Sequence, residues 1–230
     1  MKRIKKYYLF QMKPIPLNIL SCLLFIALMA FALYTTPDLF RDFSEKLVNI
    51  NILLFFISFL AYLILHEILH SIAYVIYGGK FDKIVYGMAL EKGILYCLCK
   101  QNVSRNNILH SLMYPLFFIG IVTYILSIIF HLPLLFFLSI FNLSGCSGDI
   151  IMFLYISKLD KDIEFTELDD EMSFAIYSDK DVSKISHFGL KYINAVDEVE
   201  RKDFKKVKIS KTSKIIIILI LVVCLLTLII

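Results

Sequence analysis

The sequence is poor in charged residues and in histidine. Charged side chains make up only 19% of its 230 residues, and there are just five histidines. Apolar residues reach 59%, whereas soluble domains average about 45–50%. The mean hydropathy of +0.76 agrees with that excess. The composition therefore argues against a soluble domain and predicts an integral membrane protein.

Cysteine is also scarce, and its number is odd. The five cysteines are Cys22, Cys97, Cys99, Cys146 and Cys224. Most of them lie in apolar runs, so we expect reduced, structural thiols and not the disulfide framework of a secreted protein. Cys97 and Cys99 share one face of a predicted strand, but matching metal ligands elsewhere are lacking.

The excess of basic over acidic residues is small, with 24 against 20 and a net charge of +4. The basic residues cluster at the ends of apolar runs, which is a topology signal and not the footprint of nucleic-acid binding. We therefore expect the lipid bilayer as a partner and no nucleic acid. The sequence shows no internal repeat and no low-complexity linker.

Five apolar runs predict an all-α polytopic membrane protein with a bundle of about five transmembrane helices. The predicted spans are residues 17–34, 47–77, 107–131, 134–156 and 215–230. Residues 1–16 contain five basic side chains and no acidic one. The positive-inside rule therefore places the N-terminus in the cytoplasm of a multi-pass cell-membrane protein. A signal peptide cleaved after Ala30-Phe31-Ala32 is the alternative for the first run.

The segments between and after these runs have their own patterns. Residues 35–46 are predicted to be a short polar outer loop, and residues 83–99 a cytoplasmic β-hairpin directly after the second span. The long polar segment 158–214 contains a predicted strand at 172–177 and a weakly amphipathic helix at 185–196.

The second run contains polar side chains where lipid favours apolar ones. In a helix, His66 and His70 lie one turn apart on one face and can bind a single metal ion. Glu67 can accept a proton from metal-bound water, as in the zincins. An ionised carboxylate at a helix centre in lipid costs about 2.5–3.5 kcal/mol, so such residues persist mainly for function. The alternative is that neighbouring groups satisfy these side chains without any catalytic role.

Two histidines and a water leave a catalytic zinc one protein ligand short. Asp149 is the candidate, because it and His70 precede the cytoplasmic ends of their helices by about the same 10–12 Å. Asn142 lies two helical turns before Asp149 and can orient a ligand or a substrate carbonyl, or else has a structural role. Less suitable candidates are Glu91 in the hairpin turn, Glu164 and Glu167 on the polar segment, and His110, His131 and His187 outside the membrane layer.

These motifs resemble a known family. The helix with His66, Glu67 and His70, the hairpin ending Ile94-Leu95-Tyr96-Cys97, Pro115, and residues 142–149 resemble the bacterial membrane proteins called putative zincin peptidases. In broader outline, the chain is similar to site-2 intramembrane proteases, which pair an HExxH helix with a later helix that supplies an aspartate. It lacks their proline-rich segment and their Asp-Gly, since Ile150 follows Asp149. The resemblance implies zinc and proteolysis.

The expected function is that of a zinc-dependent, membrane-embedded endopeptidase that cuts membrane or membrane-associated proteins near the cytoplasmic face. Glu67 would be the general base, and His66, His70 and Asp149 would hold Zn²⁺. An extended substrate can add to an edge of the hairpin. The alternative is a non-catalytic membrane protein with a structural or sensing metal, which predicts a closed site with a fourth protein ligand.

The apolar runs and motifs divide the chain into four predicted regions. They are the basic flank with the first span and outer loop (1–46), a metalloprotease-like membrane core (47–157), a cytosolic polar segment (158–214) and a C-terminal span (215–230).

Overall fold

The computed structural model describes residues 5–48, 50, 52–89, 94–168, 173–185 and 188–197. The predicted last span, 215–230, lies outside these residues, as do Glu91 and His187. The statements below concern the described residues.

Helices form most of the described structure. In chain order they are Pro14–Thr35 (α1), Pro37–Val48 (α2), Ile52–Ile76 (α3), Arg105–Pro115 (α4), Thr123–Ile129 (α5), Pro133–Gly145 (α6) and Ser147–Ile156 (α7). A π-helical stretch, Leu116–Val122, joins α4 to α5. Short 3-10 turns lie at Phe81–Lys83 and Ser183–Ile185.

Three helical segments are long and apolar enough to cross a membrane, namely Pro14–Thr35, Leu54–Ile76 and Arg105–Ile129. The pair α6 and α7, bent by 42° at its junction, adds a fourth if it forms one span. The described helices thus supply three or four of the five predicted spans.

Seven strands accompany the helices. They are Lys6–Met12 (β1), Ile84–Ala89 (β2), Ile94–Cys99 (β3), Val103–Ser104 (β4), Glu164–Leu168 (β5), Ser173–Ser178 (β6) and Leu190–Val196 (β7). β2 and β3 form the predicted hairpin, with Ile84 opposite Cys99 and Ala89 opposite Ile94. The other five strands form one sheet in the order β4-β5-β6-β1-β7.

The five-stranded sheet corrects the predicted all-α fold class. β1 lies in the segment expected to be only a basic flank, and it pairs antiparallel with both β6 and β7. β7 replaces the amphipathic helix predicted at 185–196, whereas β6 confirms the strand predicted at 172–177. β1 and β7 depend on partners more than 160 residues away in sequence, and such pairing overrides local propensity.

Helix α2 corrects the polar loop predicted at 35–46. Pro37 stands at its first position, which suits the fixed φ of proline. Its apolar face packs into a buried cluster in which Phe43 lies 5.2 Å from Phe136, centroid to centroid. Burial of this face stabilises a short helix whose remaining residues are mostly polar.

The chain divides into two compact units. Among the described residues, the sheet unit comprises residues 5–19, Ile68–Tyr114 and residues 148–197, and the helix unit comprises Leu20–Glu67 and Pro115–Ser147, with the gaps given above. In the sheet unit, Phe174 stacks between Phe10 and Phe165 on neighbouring strands. In the helix unit, the buried core consists of Ala32, Phe43, Phe136, Phe137 and Ile140.

Candidate metal centre

Helix α3 carries His66, Glu67 and His70 without interruption. Their ligand atoms all lie within 4.8 Å of one another, so this one stretch of helix can hold a metal ion. His70 is buried, with 8% of its surface exposed, and the other two residues are half-buried. Beyond this stretch, α3 ends before Gly78, whose φ of 106° is the left-handed conformation expected at a helix C-terminus.

The ring of His70 is fixed by α4. Its Nδ1 lies 2.9 Å from the carbonyl oxygen of Ser111. A carbonyl only accepts, so Nδ1 of the neutral ring carries the hydrogen and Nε2 keeps its lone pair. The Ser111 hydroxyl donates in return to the His70 carbonyl at 3.2 Å. The lone pair of His70 Nε2 is therefore available to coordinate a metal ion.

The ring of His66 is fixed in the same way by α6. Its Nδ1 lies 2.8 Å from Oδ1 of Asn142. The Asn142 amide is oriented because its Nδ2 donates to the carbonyl of Pro115 at 3.2 Å. The His66 Nδ1–H therefore donates to Asn142, and Nε2 again keeps its lone pair.

The π-helical stretch follows Pro115 directly, and such stretches are frequent at functional sites. Close packing continues beyond it, since a Cβ added at Gly120 would lie 2.6 Å from Leu143 Cδ2. The Pro115 carbonyl that Asn142 contacts thus lies at the start of this irregular, closely packed stretch.

Asp149 lies in the first turn of α7. Its Oδ2 is 3.7 Å from His70 Nε2, and 18% of its side chain is exposed. Asp149 thus lies beside His70, as expected from their equal distances to the cytoplasmic ends of their helices. Its role as the third ligand stays a prediction.

Cys146 was expected to be only structural, but it belongs to the surroundings of His66. It is fully buried, and its Sγ lies within 4.8 Å of a His66 ring nitrogen. Asn142 Nδ2 also lies 3.7 Å from this Sγ. The i, i+4 spacing of Asn142 and Cys146 on α6 was the available sequence signal for this position.

Of the less suitable ligand candidates, three described ones lie elsewhere. Glu164 accepts a hydrogen bond from Asn102. His110 is exposed and stacks on Tyr77 with 3.9 Å between ring centroids. His131, whose φ is 53°, lies in a turn against Phe43.

Glu167, in contrast, faces the interior of the sheet unit. Its Oε2 accepts the backbone N–H of Cys99 at 2.7 Å, and its carboxylate also accepts the Tyr74 hydroxyl. Burial, and secondarily the negative charge of Asp149, raises its pKa from 4.5 to about 7. The sequence predicted Glu167 on the solvated polar segment, because the strand pairing that positions β5 cannot be read from the residues around it.

The donor set fits a zinc ion. Two imidazoles with fixed Nδ1–H groups and one carboxylate are the ligand types of open catalytic zinc sites, in which water takes the remaining position. The hydrogen bonds from Nδ1 also make each imidazole a stronger ligand. The histidines of α3 thus have the chemistry of zinc ligands, and Asp149 beside His70 offers a carboxylate of the type found in such sites.

Part of this chain matches a known protein family. Residues 59–163 match the model of the family described as Putative zincin peptidase. The expected resemblance to this family is confirmed over that range, which includes α3 from Phe59, the hairpin, and helices α4 to α7. No curated protein and no solved structure matches the chain.

Proposed function

We propose that this chain is a zinc-dependent membrane endopeptidase that cuts membrane or membrane-associated proteins near the cytoplasmic face. The observation that carries the proposal is the fixed orientation of both histidines, each with its Nδ1 against a defined acceptor. The match of residues 59–163 to the Putative zincin peptidase family supports the same chemistry.

Each residue has one role in the proposed reaction. His66, His70 and Asp149 hold the metal. When bound, zinc lowers the pKa of its water and polarises the scissile carbonyl. Glu67, one residue after His66, takes the proton of the attacking water and gives it to the leaving amine.

The hairpin β2–β3 supplies the proposed substrate contact. Both strands lie in the sheet unit with His70 and Asp149, and among the described strands they pair only with each other. An extended peptide can therefore add to the hairpin through backbone hydrogen bonds, which do not demand a particular sequence.

The second candidate is a non-catalytic membrane protein with a structural or sensing metal. Cys146 favours it, because a buried thiol within 4.8 Å of a His66 ligand atom can complete a closed metal site. A Cys146→Ser variant separates the two functions. Loss of zinc on this substitution supports the closed site, whereas full zinc content and full cleavage support the peptidase.

Substitutions on α3 and α7 test the peptidase directly. Glu67→Gln should keep zinc and slow cleavage by about a hundredfold or more, because an amide cannot accept the proton. His70→Ala and Asp149→Ala should lose zinc as well as activity. His110→Ala, a substitution of an exposed histidine, is the control.

Zinc is measured by metal analysis of the purified protein, and substrates are sought as membrane proteins that accumulate in cells expressing Glu67→Gln. Cleavage by Glu67→Gln at the parental rate would overturn the mechanism. Parental zinc affinity in Asp149→Ala would overturn the assignment of the third ligand.

A further inference from the structure

The hairpin is attached to α3 just beyond the motif. The Tyr86 hydroxyl on β2 donates to Ser71 Oγ at 2.5 Å, and Ser71 directly follows His70. On β3, Cys97 and Cys99 are buried, with 6% and 1% of their surfaces exposed. The hairpin position is thus set within one helical turn of a proposed zinc ligand.

The backbone N–H of Cys99 points away from β2. The Lys100 amide donates to the Lys83 carbonyl at 2.9 Å, and the next pair along the ladder is Cys99 opposite Ile84. Antiparallel ladders alternate between hydrogen-bonded and non-hydrogen-bonded pairs, so the Cys99 N–H faces the outer edge of β3. A buried N–H at this edge needs an acceptor from another element.

Glu167 on β5 supplies that acceptor. Its Oε2 lies 2.7 Å from the Cys99 amide nitrogen. The same carboxylate accepts the hydroxyl of Tyr74, which is 2% exposed and lies one turn after His70 on α3. One carboxylate therefore joins the sheet, the hairpin and α3.

We propose that Glu167 is a positioning residue that fixes the hairpin on α3, and that it thereby sets where a peptide strand can lie relative to His70. Its two acceptor contacts act beside the Tyr86 hydrogen bond and the buried side chains of Cys97 and Cys99. The part of this proposal that concerns peptide binding rests on the proposed function. The part that concerns the hairpin does not.

Thiol labelling of the full-length protein in detergent tests the hairpin part. Glu167→Leu removes both acceptors at similar volume, whereas Glu167→Gln keeps a carbonyl oxygen that can accept the same hydrogen bonds. Maleimide labelling of each cysteine is followed by peptide mass spectrometry. Cys146, fully buried in the helix unit, reports global unfolding.

We expect Cys97 and Cys99 to label at least about tenfold faster in Glu167→Leu than in the parent, because local opening controls the access to buried thiols. Glu167→Gln should stay near the parental rate, and Cys146 should stay unlabelled in both variants. Equal rates in the Leu and Gln variants would overturn the proposal. A parallel increase at Cys146 would also overturn it, because Glu167 would then stabilise the whole fold.

With a cleaved substrate in hand, Glu167→Leu should raise KM several-fold while the zinc content stays parental, and Glu167→Gln should restore KM. A change in kcat alone would contradict the role in positioning. Absence of cleavage by the parent protein would refute the proposed function but leave the labelling result standing, so the two failures are distinguishable.

Discussion

At the scale of single residues, Asn142 connects the histidine chemistry to helix packing. Its Oδ1 accepts from His66 Nδ1 while its Nδ2 donates to the Pro115 carbonyl. Because the second bond orients the amide, the first bond also sets the tautomer of the histidine. If the side chain at position 142 lacks the acceptor, neither the orientation of the His66 ring nor its tautomer is fixed.

We therefore expect Asn142→Ala to weaken zinc binding by about 10–100-fold, the range typical of partners that orient metal ligands. Asn142→Asp keeps an acceptor for His66 and should retain most of the affinity. Ser144→Ala is the matched control, since the Ser144 hydroxyl donates to a carbonyl of its own helix. Competition with a zinc indicator measures the affinity. Parental affinity of Asn142→Ala would show that His66 does not depend on this bond.

At the scale of elements, the end of α3 is stabilised by Asn107 from α4. Asn107 Nδ2 donates to the carbonyls of Tyr74 and Tyr77 at 3.2 and 2.8 Å. These carbonyls belong to the last turn and its continuation, where a helix lacks its own donors. A buried amide therefore caps the helix that carries the motif.

Replacing Asn107 with alanine should lower the free energy of unfolding by about 1–3 kcal/mol, since it removes a buried donor from the carbonyls of Tyr74 and Tyr77. Asn106→Ala, at the exposed neighbouring position, should change it by less than about 0.5 kcal/mol. Thermal unfolding of the purified protein in detergent measures both variants. Equal melting temperatures would mean that other donors cap α3.

The elements differ in how far the sequence predicts them. α3 and the hairpin were predictable because their signals are local, from the i, i+4 histidines to Gly78-Gly79 and the β-prone pieces that follow. α2 carried a usable signal in the i, i+4 spacing of Leu39, Phe43 and Leu47, which polar neighbours obscured.

β1 and β7 carried no comparable signal, because each is a strand only through its pairing with a distant partner. The same limit applies to the candidate site. Spacing along one helix indicated His66, Glu67 and His70, and equal depth indicated Asp149. Glu167 was placed only by tertiary packing, whereas Cys146 had a sequence signal in its i, i+4 spacing from Asn142.

At the scale of the whole molecule, the pKa of one acid, Glu167, makes stability depend on pH. The raised pKa of Glu167, about 7 against 4.5, means that the folded protein binds this proton more tightly than the unfolded chain. The contribution of Glu167 to the free energy of unfolding is therefore highest below about pH 5, and it falls as pH rises towards 8. The groups facing Glu167 are Asp149, whose charge raises its pKa, and the Cys99 amide and Tyr74 hydroxyl, which lower it.

We expect the free energy of unfolding of the parent protein to fall by about 1–3 kcal/mol between pH 5 and pH 8 because of Glu167. Glu167→Gln should remove this part of the pH dependence, while Glu164→Gln, on the same strand, should keep it. Melting temperatures at the two pH values, measured for all three proteins, provide the comparison. A Glu167→Gln protein with the parental slope would show that other groups cause it.

The five-stranded sheet also restricts how the chain can cross a membrane. It joins β1, which precedes α1, to β4, which follows α3, and to β5, which follows α7. Strands of one sheet lie on one side of a bilayer, so an even number of crossings must separate each pair. By length and composition, α1 and α3 can supply two crossings, and Arg105–Ile129 with the bent pair α6–α7 can supply two more.

Basic residues favour the cytoplasmic ends of spans, so the lysines near these strands predict that this side faces the cytoplasm. In intact cells, Glu45→Cys in α2 should therefore react with an impermeant maleimide from outside, whereas Lys83→Cys and Lys161→Cys should react only after permeabilisation. The parent protein measures background labelling of the natural cysteines. Labelling of Lys161→Cys from outside, with Lys83→Cys protected, would put β4 and β5 on opposite sides of the membrane. The bent pair would then not be a span, and the shared sheet could not form in the cell.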